Sequence, residues 1–135
     1  MSLTLTDQDK LTLRTAAYGA VTLMSAAEAA GKPHKSATEG SIALASATGL
    51  IGHALATYPK DMKLDHTSVA AIADQVLPAL TEAMSLLKQQ APAEADNFRR
   101  TVLVAIEAAA RTHQGRPSPT VADMSRKITE ALDAA

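Results

Sequence analysis

The chain has 135 residues, with 13 Lys and Arg against 14 Asp and Glu, and a formal net charge of −1. That length suits a single domain with one core, and the balanced charge gives no strong pull toward nucleic acid or an anionic membrane. There is no cysteine, which excludes disulfides, thiolate metal sites and cysteine nucleophiles and fits a cytoplasmic location.

Asp7, Asp9 and Lys10 follow the opening residues directly, so no secretory signal is expected. The longest charge-free stretch, residues 40–59, contains Ser41, Ser46, Thr48 and His53 and is too polar for a membrane span. Alanine dominates, aromatics are limited to Tyr18, Tyr58 and Phe98, and no run alternates with period two. The expected fold class is therefore all-α: a single-domain five-helix bundle over residues 1–135.

The first helix is expected over 7–30, opened by a weak capping box at Thr6-Asp7-Gln8-Asp9 and closed by Gly31-Lys32-Pro33. A second, over 37–57, follows the capping box Ser36-Ala37-Thr38-Glu39 and stops before Pro59. The third spans 67–90 with an apolar face of Val69, Ile72, Ala73, Val76, Leu80, Ala83, Met84 and Leu87. Pro78 lies inside it, where its ring opposes the Asp74 carbonyl, so a kink is expected there. A fourth spans 93–114 and buries Phe98, Val102, Ala105, Ile106 and Ala109. The fifth, 119–133, follows Ser118-Pro119 and buries Val121, Met124, Ile128, Ala131 and Leu132.

Residues 15–27 and 40–59 carry no charge, and a helix without a charged face has little reason to meet water. Each of the two helices has small residues at helical spacing: Thr15, Gly19, Thr22, Ala26 and Ala29 on the first, Ser41, Ala45, Thr48, Gly49, Gly52 and Ala56 on the second. The pattern predicts a tight antiparallel hairpin of these two helices at the centre, with Ala20, Met24, Ile42, Ile51 and Leu55 buried. Overpacking should make Gly49→Leu destabilising. Covering two charge-free helices completely is hard for three amphipathic ones, so a homodimer is expected.

Chemical motifs are sparse. None of the four histidines has a ligand three or four residues away, which excludes a single-helix metal site. Ser85-Leu86-Leu87-Lys88 matches Ser-x-x-Lys without its companion motifs, and Lys88 there complements a helix C-terminus. No catalytic, cofactor-binding or metal residue is assigned, no cofactor is expected, and the balance leans away from an enzyme. His53, mid-helix in the charge-free segment with Tyr58 little more than a turn on, reads either as a buried, hydrogen-bonded histidine or as a general base lining a pocket. The cluster Lys32, His34 and Lys35 could hold an anion at a helix N-terminus. Arg116, Arg126 and Lys127 could contact nucleic acid if the last two helices form a helix-turn-helix; the simpler reading, which is preferred, is an ordinary amphipathic C-terminal helix.

Leu13-Arg14-Thr15-Ala16-Ala17-Tyr18-Gly19-Ala20-Val21, together with residues 41–55, SIALASATGLIGHAL, resembles a group of small uncharacterised actinobacterial proteins. The resemblance implies an all-helical cytoplasmic fold and no assigned activity, and no functional residue is carried over. The residues point to a non-enzymatic helical interaction or assembly module that self-associates. The alternatives are a DNA-associated regulator using the last two helices, and an enzyme or small-ligand carrier with a pocket near His53.

Overall fold

A computed structural model describes residues 5–27, 33–56, 64, 67–110 and 119–135. Among them are six helices: α1 (Asp7–Ala27), α2 (Pro33–Ala45), α3 (Gly49–Leu55), α4 (Val69–Gln90), α5 (Pro92–Ala110) and α6 (Pro119–Asp133). The described residues hold no strand.

The capping box at the start of α1 forms in full. The Asp9 amide donates to Thr6 Oγ1 at 3.0 Å, and the Thr6 amide donates to Asp9 Oδ2 at 3.1 Å. That second bond is the main reason the Asp9 carboxyl lies below its ordinary value. Ser68 caps α4, accepting from the Ala71 amide at 3.0 Å. Pro92 and Pro119 open α5 and α6 in the first helical turn, where a missing N–H costs nothing. α4 continues as helix on both sides of Pro78, and both Pro78 and Asp74 are on its exposed side.

The expected second helix is two helices. It starts at Pro33, so Ser36 lies inside the helix and is no cap. It then breaks at residues 46–48. The Ser46 hydroxyl donates back to the Ala43 carbonyl at 2.7 Å, and the Ala47 amide reaches the Leu44 carbonyl in a tighter three-residue turn at 3.2 Å. Thr48 is extended (φ −115°, ψ 169°) and Gly49 takes φ +69°, a left-handed conformation that glycine adopts without penalty. From α5, Asn97 Nδ2 donates to the Thr48 carbonyl at 3.1 Å and holds the break in place.

α1 is the centre of the bundle and touches each of the other five helices. Every residue from Ala16 to Val21 is buried, as are Leu13, Leu23, Met24 and Ala27, which accounts for its missing charges. α4 runs antiparallel to α1: Gly19 faces Val76, and Gln90 lies beside Asp9. The stripes read on α4, α5 and α6 are the buried ones, apart from Val69 and Ala131 at the margin. They join α1, Leu44, Ile51, Ala54 and Leu55 in one core. Among the described residues α4 is the helix long and apolar enough to cross a membrane; here its apolar stripe lines this core while Asp74, Gln75 and Glu82 are exposed.

α2 does not share the centre with α1. It lies mainly on α5, and of its described side chains only Gly40 and Leu44 are buried. A Cβ at Gly40 would stand 2.8 Å from Val21 Cγ1 and 3.4 Å from the Ala105 carbonyl oxygen, so this glycine sets how closely α2 approaches α1 and α5. Ala20, Met24, Ile51 and Leu55 are buried as expected, but Ile42 is 60% exposed. The charge-free second segment has its inner side in the core and its outer side in solvent.

Candidate interaction surface

The side chain of His53 is exposed on α3. It is therefore neither a buried, satisfied histidine nor the wall of an internal cavity, because α3 turns Ile51, Ala54 and Leu55 inward instead. Tyr58 lies outside the described residues. The buried end of α3 is held by α1. Tyr18 Oη donates to the Leu55 carbonyl at 2.8 Å and Arg14 Nε to the Ala54 carbonyl at 2.7 Å, which satisfies two orphan acceptors at a helix C-terminus.

Of the candidate cations, Lys32 and Arg116 lie outside the described residues. His34 and Lys35 fall in the first turn of α2, and their side chains are likewise outside the description. Arg126 and Lys127 are described, and both are engaged. Arg126 pairs with Asp123 and Glu130, and Lys127 Nζ lies 3.1 Å from Asp123 Oδ2. Hydrogen bonds from Lys127 and Arg126 hold the Asp123 carboxyl below its ordinary range. This is the i,i+3 and i,i+4 lacing of a solvated helix. The cations of α6 face its own carboxylates, which leaves a nearly neutral strip. Arg99 is similarly taken up by Asp133, at 2.7 Å, and links α5 to the end of α6.

An open groove of about 690 Å³ runs along the outer side of α4 past Pro78, Thr81, Glu82, Ser85 and Gln89. Its titratable group is Glu82, and the Thr81 hydroxyl is spent on the Ala131 carbonyl at 2.7 Å. One exposed carboxylate without an acid, base or cation beside it offers no proton-transfer pair. Among the described residues no group of three His, Asp or Glu side chains could hold a metal ion. The buried hydroxyls are equally committed: Thr101 donates to the Asn97 carbonyl at 2.8 Å, and Tyr18 to Leu55.

What the described surface does offer is apolar. Its exposed large hydrophobics are Ile42 on α2 and Val104 on α5. These helices are antiparallel neighbours, with Gly40 against Ala105 and Thr48 against Asn97. That register brings Ile42 and Val104 to nearly the same level of the pair. Around Ile42 the helix presents Ala37, Thr38, Ser41 and Ala45 as a shallow groove, with Glu39 at one edge. Sequence reasoning placed Ile42 in the core because residues 40–59 carry no charge; the structure leaves it on the outer side of α2.

Comparison with protein-family models, with curated proteins and with solved structures finds no match.

Proposed function

We propose that this chain is a non-enzymatic helical module that works by self-association, in the cytoplasm, as the small actinobacterial proteins it resembles would be expected to be. The observation that carries the reading is the outer face of α2: Ile42, 60% exposed, among described side chains that are uncharged apart from Glu39. Fully burying an isoleucine contributes roughly 1.5–3 kcal/mol, most of which Ile42 forgoes in the isolated chain. Isolated exposed apolar residues are ordinary. Val104, with Arg100 and Glu107 one turn away on either side, fits that description by itself. Ile42 differs because three of its four neighbours at helical spacing, Thr38, Ala45 and Ser46, bring no charge to hold water there.

The committed cations of α6 and the exposure of His53 supply nothing that favours a nucleic-acid or a catalytic reading over this one. The test is the melting temperature against protein concentration. A self-associating chain melts higher as it is concentrated, by mass action. Ile42→Arg should abolish that dependence while leaving the helical circular dichroism intact. A wild-type melting temperature independent of concentration over a hundredfold range would remove the reading.

A further inference from the structure

We infer that residues 37–45 of α2 open from the bundle as a unit, about a pivot at residues 46–48 that Asn97 pins to α5, while α3 stays seated. The inference concerns the single chain and stands whether or not copies associate.

The pivot is built into the chain rather than being a frayed helix end. The Ser46 hydroxyl turns back to the Ala43 carbonyl and closes α2. Gly49 takes φ +69°, and a Cβ at Gly52 would run into the Ala47 carbonyl oxygen, so the break needs glycine at both positions. Asn97 Nδ2 donates to the Thr48 carbonyl at 3.1 Å and to Glu94 Oε2 at 3.3 Å, which ties the break to the start of α5.

The two sides of this pivot are held unequally. Downstream, α3 buries Ile51, Ala54 and Leu55, and its last carbonyls accept from Arg14 and Tyr18 of α1. Upstream, Leu44 is the apolar side chain that residues 37–45 bury fully, with Ala43 packed at the core margin. Gly40 is buried but brings no side chain. The four residues before this stretch, Pro33, His34, Lys35 and Ser36, include no Leu, Ile, Val, Met or Phe. Even α6 buries Val121, Met124, Ile128 and Leu132 along its length. Apolar burial is the main force that seats a helix, so a segment with little of it opens before the rest. Opening bares Val21 of α1 and Ala105 of α5, which Gly40 covers and which are otherwise core residues. This part of α2 is therefore a strap over the seam between α1 and α5.

Hydrogen exchange of the full chain in increasing sub-denaturing urea, read by mass spectrometry, tests the inference. It is run at the lowest workable concentration, where mass action keeps copies apart. Amides of residues 37–45 should exchange through an opening with shallow urea dependence, because little surface is exposed in it. Amides of α3 should show a steeper dependence, closer to that of α4. Asn97→Ala removes the pin, and α3 exchange should then rise roughly three- to tenfold relative to α4, as loss of one hydrogen bond implies. Residues 37–45 exchanging with the same urea slope as α4 would overturn the inference, since they would then open only with the whole chain. A wild-type α3 that opens together with residues 37–45 would equally overturn it, by removing the pivot. An Asn97→Ala chain whose α3 keeps its wild-type protection relative to α4 would remove Asn97 as the pin.

Discussion

The Tyr18 hydroxyl, near the middle of α1, closes on the Leu55 carbonyl at the end of α3, 2.8 Å away and 37 residues later. α3 has only seven residues, too few to be stable as a helix by itself. Its last carbonyls find their donors on α1, with Arg14 on Ala54 beside Tyr18 on Leu55. Tyr18→Phe keeps the ring in the core but leaves a carbonyl there without its donor. The expected loss is about 1–3 kcal/mol, read as a lower urea midpoint at unchanged m-value. Amide exchange in α3 should rise more than in α4.

Gly19 marks a close approach of α1 to α4. A Cβ there would lie 2.8 Å from Val76 Cγ2, and Val76 is fully buried and stiff about χ1. Gly19→Ala should therefore destabilise by about 1–3 kcal/mol despite alanine's better helix propensity. Adding Val76→Ala should recover part of that loss. A double-mutant cycle with no coupling would place the contact elsewhere.

Gly49 behaves differently. The nearest atom to a Cβ there is Glu94 Oε1 at 3.8 Å, so there is room for a side chain, but the backbone sits at φ +69°. The expectation from its small-residue stripe, that Gly49→Leu fails by overpacking, is replaced by a backbone cause. Gly49→Ala and Gly49→Leu should cost nearly the same, about 1–2 kcal/mol each, and Gly49→Asn should cost less. A leucine variant much worse than the alanine one would restore the packing explanation.

Acid should loosen the ends of the chain first. The carboxyls of Asp9, Asp123 and Asp133 all lie below the ordinary aspartate value of 3.8, held there by the Thr6 amide, by Lys127 and Arg126, and by Arg99. A depressed folded pKa contributes stability that is fully present above the unfolded value. It is lost as pH falls from there through the folded one. The loss therefore belongs below about pH 4, and all three groups are at the surface, so it should be modest and weaken further with salt. Asp133→Asn should flatten the acid limb of the melting curve, while the limb above pH 5 keeps its slope.

Much of this architecture was legible because it follows from local rules. The Thr6–Asp9 box, the proline starts of α5 and α6 and the three-and-four spacing from Ile72 to Leu87 each act within a turn or two of chain. The break at 46–48 was not legible, since it depends on Asn97, 49 residues away, reaching the Thr48 carbonyl. The position of α2 was misread for a different reason. A charge-free helix is compatible both with burial inside one chain and with a face that a second chain covers. Residues 15–27 are the first case. Ile42 is the second under the reading proposed above, and composition treats the two alike.

Sedimentation equilibrium of the wild-type chain and of Ile42→Arg, from one to a few hundred micromolar, tests the central claim most directly. The account predicts a wild-type mass that climbs from the chain's 14.0 kDa toward twice that value, with the variant remaining at the chain mass throughout. A wild-type sample that stays at 14.0 kDa at every concentration would contradict it and leave the α2 face as ordinary solvent-exposed surface.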